Sequence, residues 1–296
     1  MVVGDGMTAG AVEARRFYVD VHRLAGRGRR NKPDESFHVF TADGVVFGKA
    51  ERMSEIPAEA GDTVFCDVIP VELTDEFVEV LGKGVRVFYL RRLTLFKKTY
   101  ERLGLKGKTA RNDLRALMAV EPKWFREVSE DFLVMRRLTA AYRTLLRTHE
   151  TLLSRLKALN GSERRVLLPA LEAVDKQMEA MAALVEEAGK RIPDFSRVAE
   201  SLGITGDNHL TAGEALAELM TYVDFNEGIT DVKNYVGLFK GRPKIYSGAS
   251  RKALERLTIA IKGERTIKAK DMLTTLKQIR EEIRREAQKR LEVMPA

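Results

Sequence analysis

The sequence predicts an α/β fold followed by helices: a mixed sheet covered by helices, then a long helical hairpin, then a small helical domain. Two observations lead there. Up to Trp124, short apolar runs rich in Val, Phe and Tyr recur between turn residues, as strands do; beyond it, apolar residues recur at steps of four and three, as on one face of a helix. A third observation bears on function. Asp20 and Asp67 each interrupt an apolar run, and a carboxylate on a buried strand is costly unless it is paired, hydrogen-bonded or holding a metal.

In chain order, residues 1–14 hold three glycines and little pattern. Arg16–Leu24 reads as a core strand through Phe17, Tyr18, Val19 and Val21. Gly26–Pro33 is a basic turn. Phe37–Phe40 and Val45–Phe47 flank Asp43-Gly44, the signal of a β-hairpin. Thr63–Ile69 is a nearly unbroken apolar strand, expected to be covered on both faces. Thr74-Asp75-Glu76 starts a short helix, with a hydroxyl cap and early acidic residues, that ends at Gly82 or Gly84. Val85–Leu90 is a further strand and Leu93–Leu103 a basic helix. The order β-β-β-β-α-β-α is that of an RNase H-like domain, placed at residues 1–120. A doubly wound sheet is the alternative, but no glycine-rich phosphate loop follows the first strand.

Residues 121–192 read as a coiled-coil hairpin. Leu138, Tyr142, Leu145, His149, Leu152, Leu156 and Leu159 form one seam, Asn160-Gly161-Ser162 interrupts it, and Leu167, Leu171, Val174, Met178, Met181, Val185 and Ala188 form the second. Pro169 is then expected in the first turn of the second arm or at a kink. Such seams suit a homo-oligomer. Residues 193–296 follow as short helices at Phe195–Leu202, Leu210–Met220, Ile229–Phe239 and Arg251–Ile261, ending in a charged helix over Lys268–Leu291. Gly203-Ile204-Thr205-Gly206 joins the first two in a manner resembling a helix-hairpin-helix.

With 44% hydrophobic and 32% charged residues, no apolar run long enough for a membrane span and no basic-then-apolar leader, the chain reads as a cytoplasmic protein without a membrane partner. One cysteine and four scattered histidines exclude an intramolecular disulfide and give no zinc spacing. The net charge of +8 is concentrated: Lys83–Arg115 holds eleven basic residues against two acidic ones, with Tyr89, Phe96 and Tyr100 interleaved. That is the footprint of a nucleic-acid binder, assigned to Arg86, Arg91, Arg92, Lys97, Lys98, Lys106, Lys108 and Arg111, with Arg242, Lys244 and Arg251 farther on. A solvated helix face is the competing reading. Asp113, in Lys108-Thr109-Ala110-Arg111-Asn112-Asp113, is the third candidate carboxylate. If Asp20, Asp67 and Asp113 converge, they form an oxygen-lined site suited to Mg²⁺ and phosphate chemistry; otherwise each caps a strand or pairs with an arginine.

Over residues 16–262 the succession of parts resembles the DEDD-type insertion-sequence transposases, which include bridge-RNA-guided recombinases. Asp20-Val21-His22 matches the Asp-x-His of their RuvC-like domain, Lys108–Asp113 their Lys-Thr-Asp-x-x-Asp, and Ser247-Gly248 their C-terminal Ser-Gly. The resemblance implies metal-assisted DNA strand cleavage and exchange, with or without a guide RNA. It makes Asp20, Asp67 and Asp113 catalytic Mg²⁺ ligands and Ser247 the nucleophile. Three departures stand out: Asp67 occupies a family Glu position, Ala110 a family Asp position, and the basic segment after Ser-Gly is shortened to Ala249-Ser250-Arg251-Lys252. Two other readings therefore stand beside it: a catalytically degenerate nucleic-acid-binding or architectural relative, and a RuvC-like structure-selective nuclease that uses the three aspartates without the serine.

Overall fold

Six strands form one sheet in the computed structural model of the chain, which describes residues 14–25, 36–90, 93–204, 210–239, 246–264 and 266–293. They are β1 (Arg16–Asp20), β2 (His38–Thr41), β3 (Gly48–Ala50), β4 (Thr63–Cys66), β5 (Arg86–Leu90) and β6 (Phe125–Glu127), in the order β3-β2-β1-β4-β5-β6. β4 runs parallel to both β1 and β5, whereas β2, β3 and β6 are antiparallel to their neighbours. Three helices belong to this part, α1 (Thr74–Gly82), α2 (Leu93–Arg102) and α3 (Ala110–Met118).

Side-chain alternation divides the sheet into two faces. Phe17, Val19, Val64, Cys66 and Val87 share one core with Phe77 and Val80 of α1. Each of these Val and Phe side chains, fully buried, contributes roughly 1.5–3 kcal/mol. On the other face Tyr18 stacks on Phe65 and Phe65 on Phe88, both with ring centroids 5.3 Å apart, and Leu117 of α3 joins the same cluster. Cys66 is buried and its thiol donates to the Phe88 carbonyl at 3.4 Å, the structural thiol its apolar setting predicts.

Several elements differ from the sequence expectation. β1 stops at Asp20 because the chain turns there: the His22 amide donates to His38 Nδ1 at 3.2 Å, and the Ala25 amide to the His22 carbonyl at 3.1 Å. The hairpin forms, but its second strand begins at Gly48 rather than Val45, because Asp43 draws the intervening backbone into a cage of its own. α3 replaces the polar stretch around Asp113; Thr109 caps it by accepting from the Asn112 amide, and Leu114 and Leu117 bury its inner face. β6 has three residues, too few to show a period.

The chain divides into two compact units, Met1–Leu133 and Val134–Ala296, where the sequence suggests three parts with boundaries near 120 and 192. The second unit consists of α4 (Glu130–Ala158) from Val134 onwards, α5 (Gly161–Gly189), α6 (Phe195–Ser201), α7 (Leu210–Tyr222), α8 (Ile229–Tyr235), α9 (Gly248–Lys262) and α10 (Ala269–Val293). One core runs through it, so that Met135, Tyr142, Ala182 and Val185 of the hairpin are buried together with Leu216, Leu254 and Leu276. In both arms the residues at the predicted four-three spacing are the half-buried or buried ones, and His149 Nε2 meets Asp175 Oδ1 across the arms at 3.1 Å. Pro169 lies inside α5, beyond the first turn where proline fits best, and the helix continues through it. Among the described residues no helix is long and apolar enough to cross a membrane.

α7 is the hub. It is buried from Ala212 to Met220, and α5 and α9 both lie against it. Small residues permit this approach: a Cβ on Gly189 would come within 2.8 Å of Ala217 Cβ, and one on Gly213 within 2.7 Å of Glu186 Cδ. Two carboxylates on this helix, Glu214 and Glu218, are almost fully buried. Arg256 of α9 bridges them, reaching Glu218 Oε2 at 2.9 Å, and Arg143 of α4 donates from Nε to Glu218 Oε1 at 2.9 Å. Burial pushes Glu214 up to about 7 even against the pull of Arg256. Arg256→Met should leave Glu214 uncompensated, with Glu218 keeping Arg143, and cost about 3–5 kcal/mol at pH 8. The loss should shrink at pH 5, where protonated Glu214 no longer buries a charge. Chemical unfolding at the two pH values measures both, and an equal loss at each would assign the effect to packing.

Candidate active site

The site begins with strand register. β1 and β4 are parallel and pair Val19 with Cys66, so the next residues, Asp20 and Asp67, stand side by side where the two strands end. Alternation puts them on the face that carries Tyr18 and Phe65 two residues earlier. α3 packs against β1 and β2 and carries Asp113, buried, in its first turn. The loop before it is tied down by Asn112, whose Nδ2 donates to the carbonyls of Lys106 and Gly107, both at 3.0 Å. Carboxyl ends of parallel strands are where open α/β sheets bind ligands.

The three carboxylates act on one another electrostatically. The Asp67 carboxyl is pushed up to about 7, chiefly by burial, then by the Asp20 charge and, more weakly, by Asp113; the Val68 amide opposes the shift. Its Oδ1 is buried without a hydrogen-bond partner. Asp113 is also raised, by burial first and by Asp20 among its neighbours, while the Tyr100 hydroxyl, Lys108 and His22 pull it down. The Tyr100 hydroxyl donates to Asp113 Oδ1, and burial together with that bond holds the phenol well above its ordinary value.

A histidine pair supports Asp20. His22 Nε2 lies 3.0 Å from Asp20 Oδ2. Because His38 Nδ1 accepts from the His22 amide, neutral His38 carries its proton on Nε2, which faces Glu76 Oε2 at 3.6 Å. Burial holds His38 below its ordinary value, against the pull of Glu76. Glu76 is anchored in turn by the Met53 amide, which donates to it at 2.9 Å.

The other predicted residues are more dispersed in role. Lys97 and Lys98 are exposed on α2, Lys106 and Lys108 on the loop before α3, and Arg111 on α3 itself, with its guanidinium 5.3 Å from the Phe47 ring centroid. Arg86 forms a two-point pair with Glu127, at 2.8 and 3.1 Å. Arg251 donates to the Gly237 carbonyl at 3.1 Å. Ser247, in the second unit, is the N-cap of α9: its Oγ accepts from the Ser250 amide at 3.1 Å and shares a 2.9 Å hydrogen bond with the Ser250 hydroxyl. Arg91, Arg92, Arg242, Lys244 and part of the Gly203–Gly206 turn lie outside the described residues.

His38 and Glu76 are not singled out by sequence reasoning, and Tyr100 is read there as an aromatic of the basic stretch rather than as a partner of Asp113. Tyr100 stands four residues after Phe96 on α2, with ring centroids 5.5 Å apart, which is a core spacing as much as a nucleic-acid one. The donor set suits a hard divalent cation, and the orphaned Asp67 Oδ1 is an oxygen that such an ion would satisfy. Among the described residues, no three His, Cys, Asp or Glu side chains are grouped so as to hold a metal ion as they stand, and Asp113 Oδ1 is engaged by Tyr100. No family model matches the sequence, and the search of curated proteins finds no match.

The raised Asp67 carboxyl has a stability consequence. Its folded value lies above the ordinary carboxylate value, so the native state binds the extra proton between about pH 4 and 7, and stability falls as pH rises through that window. In the presence of chelator, Asp67→Asn should raise stability by on the order of 1–3 kcal/mol at pH 8 and by little at pH 4. Thermal unfolding across this range tests it, and a gain that does not depend on pH would deny Asp67 a buried charge.

Proposed function

We propose that this chain cleaves and exchanges DNA strands as a DEDD-type transposase or recombinase, on an RNase H-like domain whose phosphodiester chemistry centres on Asp20, Asp67 and Asp113. One observation carries the reading: Asp20 and Asp67 end adjacent parallel strands, with Asp113 electrostatically coupled to both. The strand order supports the fold assignment, with an antiparallel β3-β2-β1 meander extended by parallel β4 and β5. The half-buried seams of α4 and α5 support a coiled-coil hairpin, and through it a homo-oligomer. A guide RNA belongs to the same proposal.

Asp20, Asp67 and Asp113 would hold Mg²⁺, which when bound supplies Lewis-acid activation of the attacking oxygen and stabilises the leaving one. The chain's own residues do the rest. His22 orients Asp20 through the 3.0 Å contact, and Tyr100 holds Asp113. Lys97, Lys98, Lys106, Lys108 and Arg111 supply exposed positive charge on the elements that carry or precede Asp113, where it would draw in a phosphate backbone. A Ser247 nucleophile must first give up its cap on α9.

That commitment favours a second reading, a nuclease that uses the three aspartates and not the serine. Ala110, which opens α3 at a family Asp position, favours the degenerate binder instead. Substitutions separate the three. Strand exchange requires that Asp20→Asn and Ser247→Ala each abolish it in Mn²⁺. Cleavage that survives Ser247→Ala but not Asp20→Asn assigns the nuclease. Salt-sensitive DNA binding with no metal-dependent cleavage in the wild type leaves the binder. In each case Lys97→Glu, Lys98→Glu and Lys106→Glu should reduce the salt slope of binding by about one per lost phosphate contact.

A further inference from the structure

The tip of the β2–β3 hairpin is built in an unusual way. Val45 and Val46 are 79% and 70% exposed, although the sequence pattern would place them in a strand. The cause is local. Both of their amides donate inward to Asp43 Oδ1, at 2.8 and 2.9 Å. The Thr41 hydroxyl donates to the Val46 carbonyl at 2.7 Å and accepts from the Gly44 amide at 2.9 Å. With the backbone polar groups turned in, the two β-branched side chains are turned out. They are stiff at χ1 and stand on a turn held by four hydrogen bonds, so little freedom remains to be lost on contact. Gly44 has a φ of 76°, in the left-handed region, and a Cβ there would lie 3.1 Å from Met118 Sδ, which seats the tip on the end of α3.

What surrounds the tip tells which partner it fits. Phe47, the next residue, lies under the guanidinium of exposed Arg111, two residues before Asp113 on α3. Lys106 and Lys108 are exposed on the loop leading into that helix, and Lys49 lies 5.4 Å from the Phe37 ring centroid. Asp43, the acidic residue of the turn, directs Oδ1 to the amides of its own loop. A rigid apolar point beside positive charge matches the side chains that proteins insert between base steps while cations hold the flanking phosphates. A protein partner would be expected to meet a broader apolar patch.

We propose that Val45 and Val46 form a wedge that enters the base stack of a nucleic-acid duplex, with Arg111 on the adjacent phosphate. The same helix carries the wedge's seat, Arg111 and Asp113, so opening a base step presents a loosened backbone to the candidate site. The inference rests on the nucleic-acid reading given above and adds to it a strand-opening activity that does not require metal.

The experiment uses the full chain, duplex DNA carrying 2-aminopurine at successive steps, and chelator throughout. Wild-type protein should raise the 2-aminopurine fluorescence at a defined step. Val45→Ser with Val46→Ser should abolish that rise and weaken binding at least tenfold, while the slope of log affinity against log salt stays unchanged. Val45→Thr with Val46→Thr, closer in shape, controls for folding and should give an intermediate effect. Arg111→Gln should lower the salt slope by about one. Wild-type affinity and fluorescence in both valine variants would overturn the wedge and leave the nucleic-acid reading standing. Absence of any DNA binding by the wild type would overturn that reading and the wedge with it. Loss of self-association in the serine variant, with DNA binding intact, would assign the tip to a protein contact and also overturn the wedge.

Discussion

The in-register pairing of β1 with β4 is the constraint on which the first unit depends. A slip of one residue in β4 would turn Phe65 out of its stack with Tyr18 and Phe88 and into the face that packs on α1. The same slip would carry Asp67 away from the face of Asp20. The aromatic row therefore holds the carboxylates in place without touching their chemistry: Tyr18 and Phe65 stack because they are partners, and Asp20 and Asp67 stand together because they come two residues later. Position at the site is in this sense a consequence of core packing, which makes the arrangement robust to change in the loops around it.

How much of this was legible in the sequence differs from element to element, for physical reasons. Asp20 and Asp67 could be found because a carboxylate inside an apolar run contradicts its surroundings. The arms of α4 and α5 could be found because a four-three period sustained over many turns has no competing interpretation. α3 is not legible in the sequence despite its cap, Thr109, and its inward residues Leu114 and Leu117; Arg111-Asn112-Asp113 reads as solvent-facing, and the burial of Asp113 is set by tertiary contact. The hairpin is legible in the sequence, but the start of its second strand at Gly48 is not. Asp43-Gly44 signals a two-residue turn, yet side-chain hydrogen bonds from Asp43 and Thr41 outcompete the strand pairing that Val45–Phe47 would otherwise make.

Charge shows the same limit. The concentration of basic residues between Lys83 and Arg115 is visible in one dimension, but its use is decided in three. Arg86 is matched by Glu127, forty-one residues later, and Arg251 is committed to the Gly237 carbonyl. Lys97, Lys98, Lys106 and Lys108 remain exposed. His38 and Glu76 are the converse case. Nothing in their local sequence distinguishes them, and they matter because His38 Nδ1 accepts from the amide of His22, whose ring meets Asp20, while His38 Nε2 faces Glu76 at 3.6 Å without a hydrogen bond.

Both units bury carboxylates, and the two clusters differ in the partners they supply. On α7, Glu214 and Glu218 are met by Arg143 and Arg256 from two other helices, which tie the cluster together, although burial still raises Glu214 to about 7. Around Asp20, Asp67 and Asp113 the balancing groups among the described residues include a histidine, a phenol and a lysine, and one oxygen of Asp67 has no hydrogen-bond partner there. A structural cluster minimises its own energy; a site that leaves negative charge uncompensated lowers the stability of the fold that carries it. Such an imbalance is what the proposed cation would relieve, with His22 against Asp20 and Tyr100 against Asp113 positioning two of the three carboxylates. The difference between the two clusters, more than the residue types they share, is the reason for placing the chemistry at the carboxyl ends of β1 and β4.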